Sequence, residues 1–190
     1  VTTAVESVED RILSLLDKGH TRADFISAAQ QCRDHALDLS PTFIPFTPWT
    51  TSQGYVDLLA TVHELELVDS LSPIQLAIRL LVPNGSRILE LEEWREHAGD
   101  FDESALSFRW TNLDPAIEHL YAVVRDLVSD GEEKEIGRRE IFSDIWQAAH
   151  DSIGLQCPSL TFEKAHPTQA HMSEAWYCCA EPTDLQLARM

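Results

Sequence analysis

The chain has 190 residues, of which 44% are hydrophobic, and a formal net charge of -18 at pH 7. It is long enough to bury a core, and it has no run of about 18 apolar residues that could cross a membrane. The excess of negative charge repels phosphate backbones, which argues against a nucleic-acid partner. The 4 cysteines lie at uneven spacing, unlike the disulfide framework of a small secreted domain, so a reducing cytoplasm is expected.

Two helices are predicted near the start of the chain. Ser7 and Asp10 have the spacing of a capping box and precede a short apolar run that stops at Gly19. Thr21 and Asp24 repeat that spacing ahead of a second run with helical periodicity.

A strand, a helix and a second strand are predicted next. "LDLSPTFIPF" (37–46) and "SPIQLAIRLLVP" (72–83) read as strands, and residues 55–65 place apolar side chains at helical spacing. This order predicts one parallel βαβ crossover. Two strands alone do not make a stable sheet, so further strands are expected upstream of Val1. The first residues have neither an initiator Met nor a signal peptide, which favours a piece of a longer chain.

Beyond residue 90 the pattern changes to helices and loops. A short helix is predicted to end at Gly99, and Asp114 with Pro115 supplies the cap and the first residue of a longer helix. The acidic stretch 129–137 predicts a solvated break, and 138–154 predicts a third helix. The remaining residues have no periodicity and predict an extended tail.

Two polar side chains interrupt the second predicted strand. Gln75 and Arg79 share one face, although both faces of a helix-covered parallel sheet are normally apolar. They could face the interior of a barrel and contact a polar ligand near the strand ends. Alternatively, the strand could lie at a sheet edge with one wet face. The residues leave both interpretations open.

The tail carries an adjacent pair, Cys178 and Cys179. A disulfide between neighbouring cysteines is strained, which favours thiols that react elsewhere or an easily reduced bond. The nearby Glu181 would raise a thiol pKa rather than lower it. Cys157 and His171 add atoms suited to zinc or iron, but the spacing is not that of a recognised site. On this chemistry alone, a functional role of the cysteine pair and a chance occurrence are equally open.

The tail "WYCCAEPT" resembles the ending of radical SAM proteins named for a CUAEP or CCAEP tail. In those proteins the second position of the pair, here Cys179, is selenocysteine in some members and cysteine in others. "ESVEDRILSLLDKGHT", "LSPTFIPFTPWTT" and "PIQLAIRLLVPNGS" resemble the fourth, fifth and sixth strand regions of a radical SAM partial barrel. The resemblance divides the chain into barrel (1–90), helical extension (91–154) and Cys-containing extended tail (155–190).

The resemblance implies an α/β fold, namely the C-terminal βα units of a partial (β/α)6 barrel. It also implies an enzyme that binds a [4Fe-4S] cluster through a CxxxCxxC loop and cleaves S-adenosylmethionine to a 5′-deoxyadenosyl radical. No CxxxCxxC occurs in this sequence. The cluster ligands are therefore expected in an upstream radical SAM core of the same protein, and this part alone is expected to be inactive.

Cofactor-binding residues follow from the resemblance by position. Glu6 and Ser7 match where such enzymes contact the ribose and amino-acid part of S-adenosylmethionine. Pro45 to Thr47 and Arg79 match contributions near the adenine and the substrate. A structural alternative for Glu6 and Ser7 is the helix cap described above.

For the tail, selenocysteine in relatives implies a reactive or ligating sulfur. Cys179 is then the reactive atom and Cys178 its resolving or co-ligating partner, the thiolate being the reactive form. The substrate would be a small molecule or a peptide. The alternative is a non-catalytic acidic interaction module whose tail binds metal structurally.

Overall fold

A computed structural model describes residues 1–162. Within this range no helix is long and apolar enough to cross a membrane. Short 3₁₀ helices cover Pro73–Leu76, Arg87–Glu90 and Glu92–Trp94. The other elements are, in order, β1 (Thr2–Glu6), α1 (Asp10–Leu15), α2 (Arg22–Asp34), β2 (Ser40–Phe43), α3 (Ser52–Glu64), β3 (Ala98–Asp102), β4 (Ser107–Trp110), α4 (Pro115–Glu133) and α5 (Arg138–Ser152).

Three parallel segments lie side by side in the first half of the chain. β1 pairs in parallel with β2. Beyond β2, Phe46 forms a parallel bridge with Arg79. The Phe46 N–H donates to the Ile78 carbonyl at 3.1 Å, and the Phe46 carbonyl accepts from the Leu80 N–H at 2.9 Å. Residues 78–80 are therefore the third parallel segment, as the predicted βαβ crossover requires.

The first half of the strand predicted over 72–83 is wrong, because Pro73–Leu76 forms a 3₁₀ helix. Proline suits the first turn of a helix, since its missing N–H is unpaired there in any case. Gln75 is buried, and its Oε1 accepts a hydrogen bond from the Phe43 N–H at 3.0 Å. A side chain thus satisfies a backbone donor of β2, and Gln75 faces neither a barrel interior nor a wet sheet edge.

The predicted helix ending at Gly99 is also wrong. A single 3₁₀ turn at Glu92–Trp94 is followed by β3, which contains Gly99 and pairs antiparallel with β4. A Cβ on Gly99 would lie 2.9 Å from the Arg109 carbonyl oxygen, so glycine permits this close pairing. The Phe108 N–H donates to the Val82 carbonyl at 2.8 Å, which attaches the hairpin to the chain following the third parallel segment.

The starts of the first two helices differ from each other. The capping box at Thr21 is present, with Thr21 Oγ1 accepting from the Asp24 N–H and the Asp24 carboxylate accepting from the Thr21 N–H. The box predicted at Ser7 is not formed, because α1 begins after Glu9. Ser7 Oγ instead accepts from the Glu9 N–H at 3.1 Å.

The two long C-terminal helices confirm the sequence prediction in type and place. Asp114 caps α4 by accepting from the Ala116 N–H at 2.9 Å. The break predicted over 129–137 is wrong in its first half, because α4 continues through that stretch. Gly131 allows α5 to approach closely, since a Cβ there would lie 2.6 Å from Ile141 Cδ1.

The main core lies between the parallel segments and the helices. α3, α4 and α5 pack together, and Val62, Val124 and Ile145 are fully buried among them. The architecture is mixed α/β, as predicted. The described residues contain two small two-stranded sheets rather than a closed barrel, so the partial barrel remains a prediction.

Residues 155–162, which we call the docked segment, lie against α3 and α5 without forming a helix or strand. Trp146 Nε1 donates to the Pro158 carbonyl at 2.9 Å, and His63 Nε2 donates to the Thr161 carbonyl at 2.9 Å. The Phe162 ring meets the His63 ring edge to face at 5.7 Å. The rest of the predicted tail, including Cys178 and Cys179, lies outside the described residues.

Candidate functional site

The carboxyl ends of parallel strands are where α/β proteins bind ligands. The five predicted cofactor residues belong to this region: Glu6 and Ser7 at the end of β1, Pro45 and Thr47 after β2, and Arg79 in the third parallel segment. The structure gives these residues different partners.

The backbone at the end of β1 is strained. Glu6 has φ of +67°, and the Ser7 N–H donates to the Val5 carbonyl at 2.8 Å, which closes a three-residue γ-turn around Glu6. The pairing register with β2 also shifts between Ala4 and Glu6, as in a β-bulge. Positive φ at a side chain other than glycine is uncommon, and such strain and bulges are frequent beside functional sites.

Glu6 is buried and paired with a lysine. Its side chain is 7% exposed, and Oε1 lies 2.8 Å from Lys18 Nζ. Its second oxygen, Oε2, makes no hydrogen bond within residues 1–162. His20 Nε2 donates to the Val5 carbonyl at 3.0 Å and so supports the same turn. The burial of a carboxylate next to a cation leaves Oε2 as an acceptor for a further polar group.

Lys18 and His20 were not predicted from the sequence as site residues. They flank Gly19, whose φ of +70° turns the chain after α1. The available signal was "DKGHT", a lysine and a histidine around a glycine directly after the first helix. Lys18 and His20 reach the end of β1 only because the chain folds back after α1. Their spacing in the sequence therefore did not reveal this contact.

The loop after β2 is closed by its own side chains. Thr47 is fully buried, and its N–H donates to Thr50 Oγ1 at 2.9 Å. Thr50 Oγ1 in turn donates to the Pro45 carbonyl at 2.9 Å. Trp49 covers this loop and donates from Nε1 to the Glu93 carbonyl at 3.3 Å. The polar groups of Pro45 and Thr47 are thus bonded to protein, and their predicted cofactor role remains a prediction.

Arg79 points toward the extension. Its guanidinium donates to both oxygens of Glu118 at 3.1 Å and to the Trp110 carbonyl at 2.8 Å. It also lies over the Trp110 ring, 3.6 Å from the centroid. These contacts account for a charged side chain that is only 9% exposed. Arg79 therefore faces protein groups rather than an open edge, and its role toward the cofactor stays a prediction.

A second carboxylate lies near the end of β1. Burial raises the pKa of the Glu9 carboxyl group, Asp57 raises it further, and Arg11 opposes both. Glu9 lies at the start of α3, where a Cβ on Gly54 would collide with Glu9 Oε1. Gly54 therefore leaves room for this carboxylate, and the start of a helix is a favourable place for negative charge.

No group of three or more His, Cys, Asp or Glu side chains within residues 1–162 could hold a metal ion. The two cysteines in this range, Cys32 and Cys157, are unpaired and partly buried. Burial raises the pKa of the Cys157 thiol, and Asp151 adds to this effect, so the thiol is the favoured form. The described residues therefore do not fit a [4Fe-4S] cluster, and metal binding by the tail stays a prediction.

Comparisons with known proteins give one partial match among curated proteins. The chain is 36% identical over 70 residues to the tRNA-2-methylthio-N(6)-dimethylallyladenosine synthase of Methylococcus capsulatus. This stretch is 36% of the chain but only 15% of that enzyme. None of the protein-family models matches the chain, and no solved structure matches it. The synthase is a radical SAM protein, so the similarity supports a distant radical SAM relationship and does not bear on the CCAEP tail.

Proposed function

We propose that this chain is the C-terminal part of a radical SAM enzyme. The partial identity to the synthase carries this proposal. The three parallel segments, with polar residues at their carboxyl ends, support it because they are compatible with the last βα units of the predicted partial (β/α)6 barrel. An upstream core of the same protein would hold the [4Fe-4S] cluster, since residues 1–162 do not fit one.

S-adenosylmethionine bound beside such a cluster would supply a 5′-deoxyadenosyl radical, and residues of this chain would hold the cofactor in place. Within residues 1–162, Glu6 is the residue best suited to contact the cofactor, because Oε2 is an available acceptor and Lys18 holds the other oxygen. Ser7 adjoins it in the strained turn. Pro45, Thr47 and Arg79 would act by fixing the backbone around the adenine, since their polar groups are bonded to protein.

The tail would supply the second reactive element. Cys179 is proposed as the reactive or ligating sulfur and Cys178 as its partner, on the strength of the CCAEP resemblance and of the strain in a disulfide between neighbours. Replacing both by Ser should abolish substrate conversion while 5′-deoxyadenosine is still formed. Loss of both activities together would contradict a role of the pair after radical formation.

A small molecule or a peptide is the proposed substrate, although the name of the relative refers to tRNA. The net charge of -18 opposes a polyphosphate partner. The basic side chains of residues 1–162 are also largely engaged by acids. These pairs include Lys18–Glu6, Arg33–Glu66, Arg79–Glu118, Arg87–Asp17, Arg109–Asp102 and Arg139–Asp69.

The test is reductive cleavage of S-adenosylmethionine by the full-length gene product after iron–sulfur reconstitution, measured as 5′-deoxyadenosine. We expect cleavage, and we expect Glu6→Gln to lower it at least about tenfold, since a lost charged contact costs about 1.5–3 kcal/mol. Glu66→Gln is the matched control: Glu66 also has positive φ and an arginine partner, but it lies at the surface. Absence of both a cluster and 5′-deoxyadenosine would overturn the proposal.

A second function is an acidic interaction module with a structural metal in its tail. The charge asymmetry favours it, because residues 91–190 hold 20 acidic and 8 basic residues. Metal analysis of the purified chain with Cys178→Ser and Cys179→Ser decides the tail's role. A loss of bound zinc or iron supports structural ligation, and unchanged metal content contradicts it.

A further inference from the structure

The segment between β4 and α4 contains a buried amide that contacts the loop after β2. Asn112 is 6% exposed. Its Nδ2 donates to the Thr50 carbonyl at 2.8 Å and to the Thr47 carbonyl at 3.4 Å. Its Oδ1 accepts from the Asp114 N–H at 2.9 Å. Both N–H donors of the amide and its oxygen acceptor are therefore hydrogen-bonded. Two of these three bonds are made to the loop after β2.

Residues 110–118 also make hydrogen bonds with the third parallel segment. The Asn112 N–H donates to Glu118 Oε1 at 2.6 Å, and Glu118 accepts both hydrogen bonds from Arg79. Trp110 Nε1 donates to the Leu80 carbonyl at 2.8 Å. Residues 110–118 are thus bonded to two neighbouring segments whose own pairing is a single bridge.

We propose that residues 110–118 form a latch, with Asn112 as its positioning residue. The latch positions the candidate site at the carboxyl ends of the parallel segments. A short pair of strands is only marginally stable by itself, so the loop after β2 and the third parallel segment need support from outside the sheet. The latch supplies it from the part of the chain that the sequence assigned to a separate extension. That the positioned site binds S-adenosylmethionine rests on the proposed function.

The positions of the two carbonyl groups explain why residue 112 is an asparagine. Two carbonyl oxygens converge on one buried point, and only a neutral group with two donors satisfies both without bringing in a charge. Aspartate has the same shape but would place a carboxylate oxygen against two carbonyls. Asn112→Asp therefore tests the hydrogen bonds, and Asn112→Ala tests their loss without repulsion.

The experiment that tests the latch itself is amide hydrogen exchange in the full chain, without cofactor. We expect Asn112→Asp and Asn112→Ala to speed exchange over residues 46–51 at least about tenfold, an opening free energy lower by about 1.4 kcal/mol. His150→Ala is the control, because His150 is buried in the same extension but bonds within its own helix, to the Trp146 carbonyl at 2.8 Å. Equal exchange over 46–51 in the Asn112 and His150 variants would overturn the latch.

The role in the site is tested in the reconstituted full-length gene product. We expect Asn112→Ala to raise KM for S-adenosylmethionine about tenfold, with kcat within about twofold and His150→Ala near wild type in both. Faster exchange with an unchanged KM would overturn the positioning role. If the wild-type protein does not cleave S-adenosylmethionine, the proposed function fails, and the exchange experiment still decides whether the latch exists.

Discussion

The end of β1 and the end of β2 belong to the same small sheet but are built differently. At the end of β1 a strained turn presents Glu6, whose partner Lys18 has a side chain that is 33% exposed. At the end of β2, Thr47 is fully buried and is bonded to Thr50 and Asn112. The first end keeps a polar atom available, and the second is sealed by the extension.

This difference separates two roles that the sequence assigned together. Glycine or asparagine would adopt the φ of Glu6 more readily. Five other non-glycine residues within 1–162, Glu66 among them, also have positive φ, and Glu6 differs from Glu66 in its burial and its available Oε2. The contacts of Arg79, by contrast, are those of a residue that joins two parts of the fold. We therefore expect changes at Arg79 to affect stability, and changes at Glu6 to affect ligand binding more than stability.

The largest effect should come from Arg79→Leu. It leaves Glu118 partly buried without its cation, and breaking such a pair costs about 3 kcal/mol. Chemical denaturation measures the loss. Arg87→Leu is the matched control, because the Arg87–Asp17 pair is 83% and 76% exposed and should contribute close to nothing. A similar loss in both variants would contradict the role of Arg79 in joining the third parallel segment to α4.

A smaller effect should distinguish Glu6→Gly from Glu6→Ala. Both variants remove the carboxylate, but only glycine relieves the positive φ, so Glu6→Gly should be more stable by about 1 kcal/mol. Denaturation midpoints at equal slope measure the difference. If the alanine variant proves the more stable, the backbone at Glu6 is not strained and the functional interpretation loses its support.

The smallest effect should be the pH dependence of Glu9→Gln. Because the folded-state pKa of Glu9 is raised, its contribution to stability is present below the ordinary glutamate pKa and is lost as the pH rises through the folded-state value. In chemical denaturation the variant should therefore gain stability over wild type as the pH rises above the ordinary glutamate pKa, by less than about 0.5 kcal/mol, since solvent screens the group. The exposed Glu135→Gln serves as control, and a gain toward acid would contradict the assignment.

The helices were predictable because their signals are local. Thr21 with Asp24, and Asp114 with Pro115, mark helix starts within a few residues. The strands were less predictable from the sequence. Gln75 interrupts a pattern of alternating apolar residues because its amide bonds to β2, which is a tertiary contact with no trace in local spacing.

The site was predictable only in outline. The resemblance identified Glu6 and Arg79 by position, but it could not show that Arg79 turns toward Glu118 or that Lys18 reaches Glu6. Asn112 was missed altogether, because a single asparagine in a loop carries no periodicity. Its importance depends on two carbonyl groups that are more than 60 residues away in sequence.

The docked segment sets a limit on the reach of the chain beyond it. Phe162 lies against His63 near the end of α3, and α3 starts from the loop that follows β2. The 13 residues of α3 make it about 20 Å long, which separates Phe162 from the strand ends by roughly that distance. Cys179 follows Phe162 by 17 positions, a covalent length of at most about 60 Å. This covalent length exceeds the length of α3, so the docked segment is compatible with the proposed role of Cys179 at the strand ends.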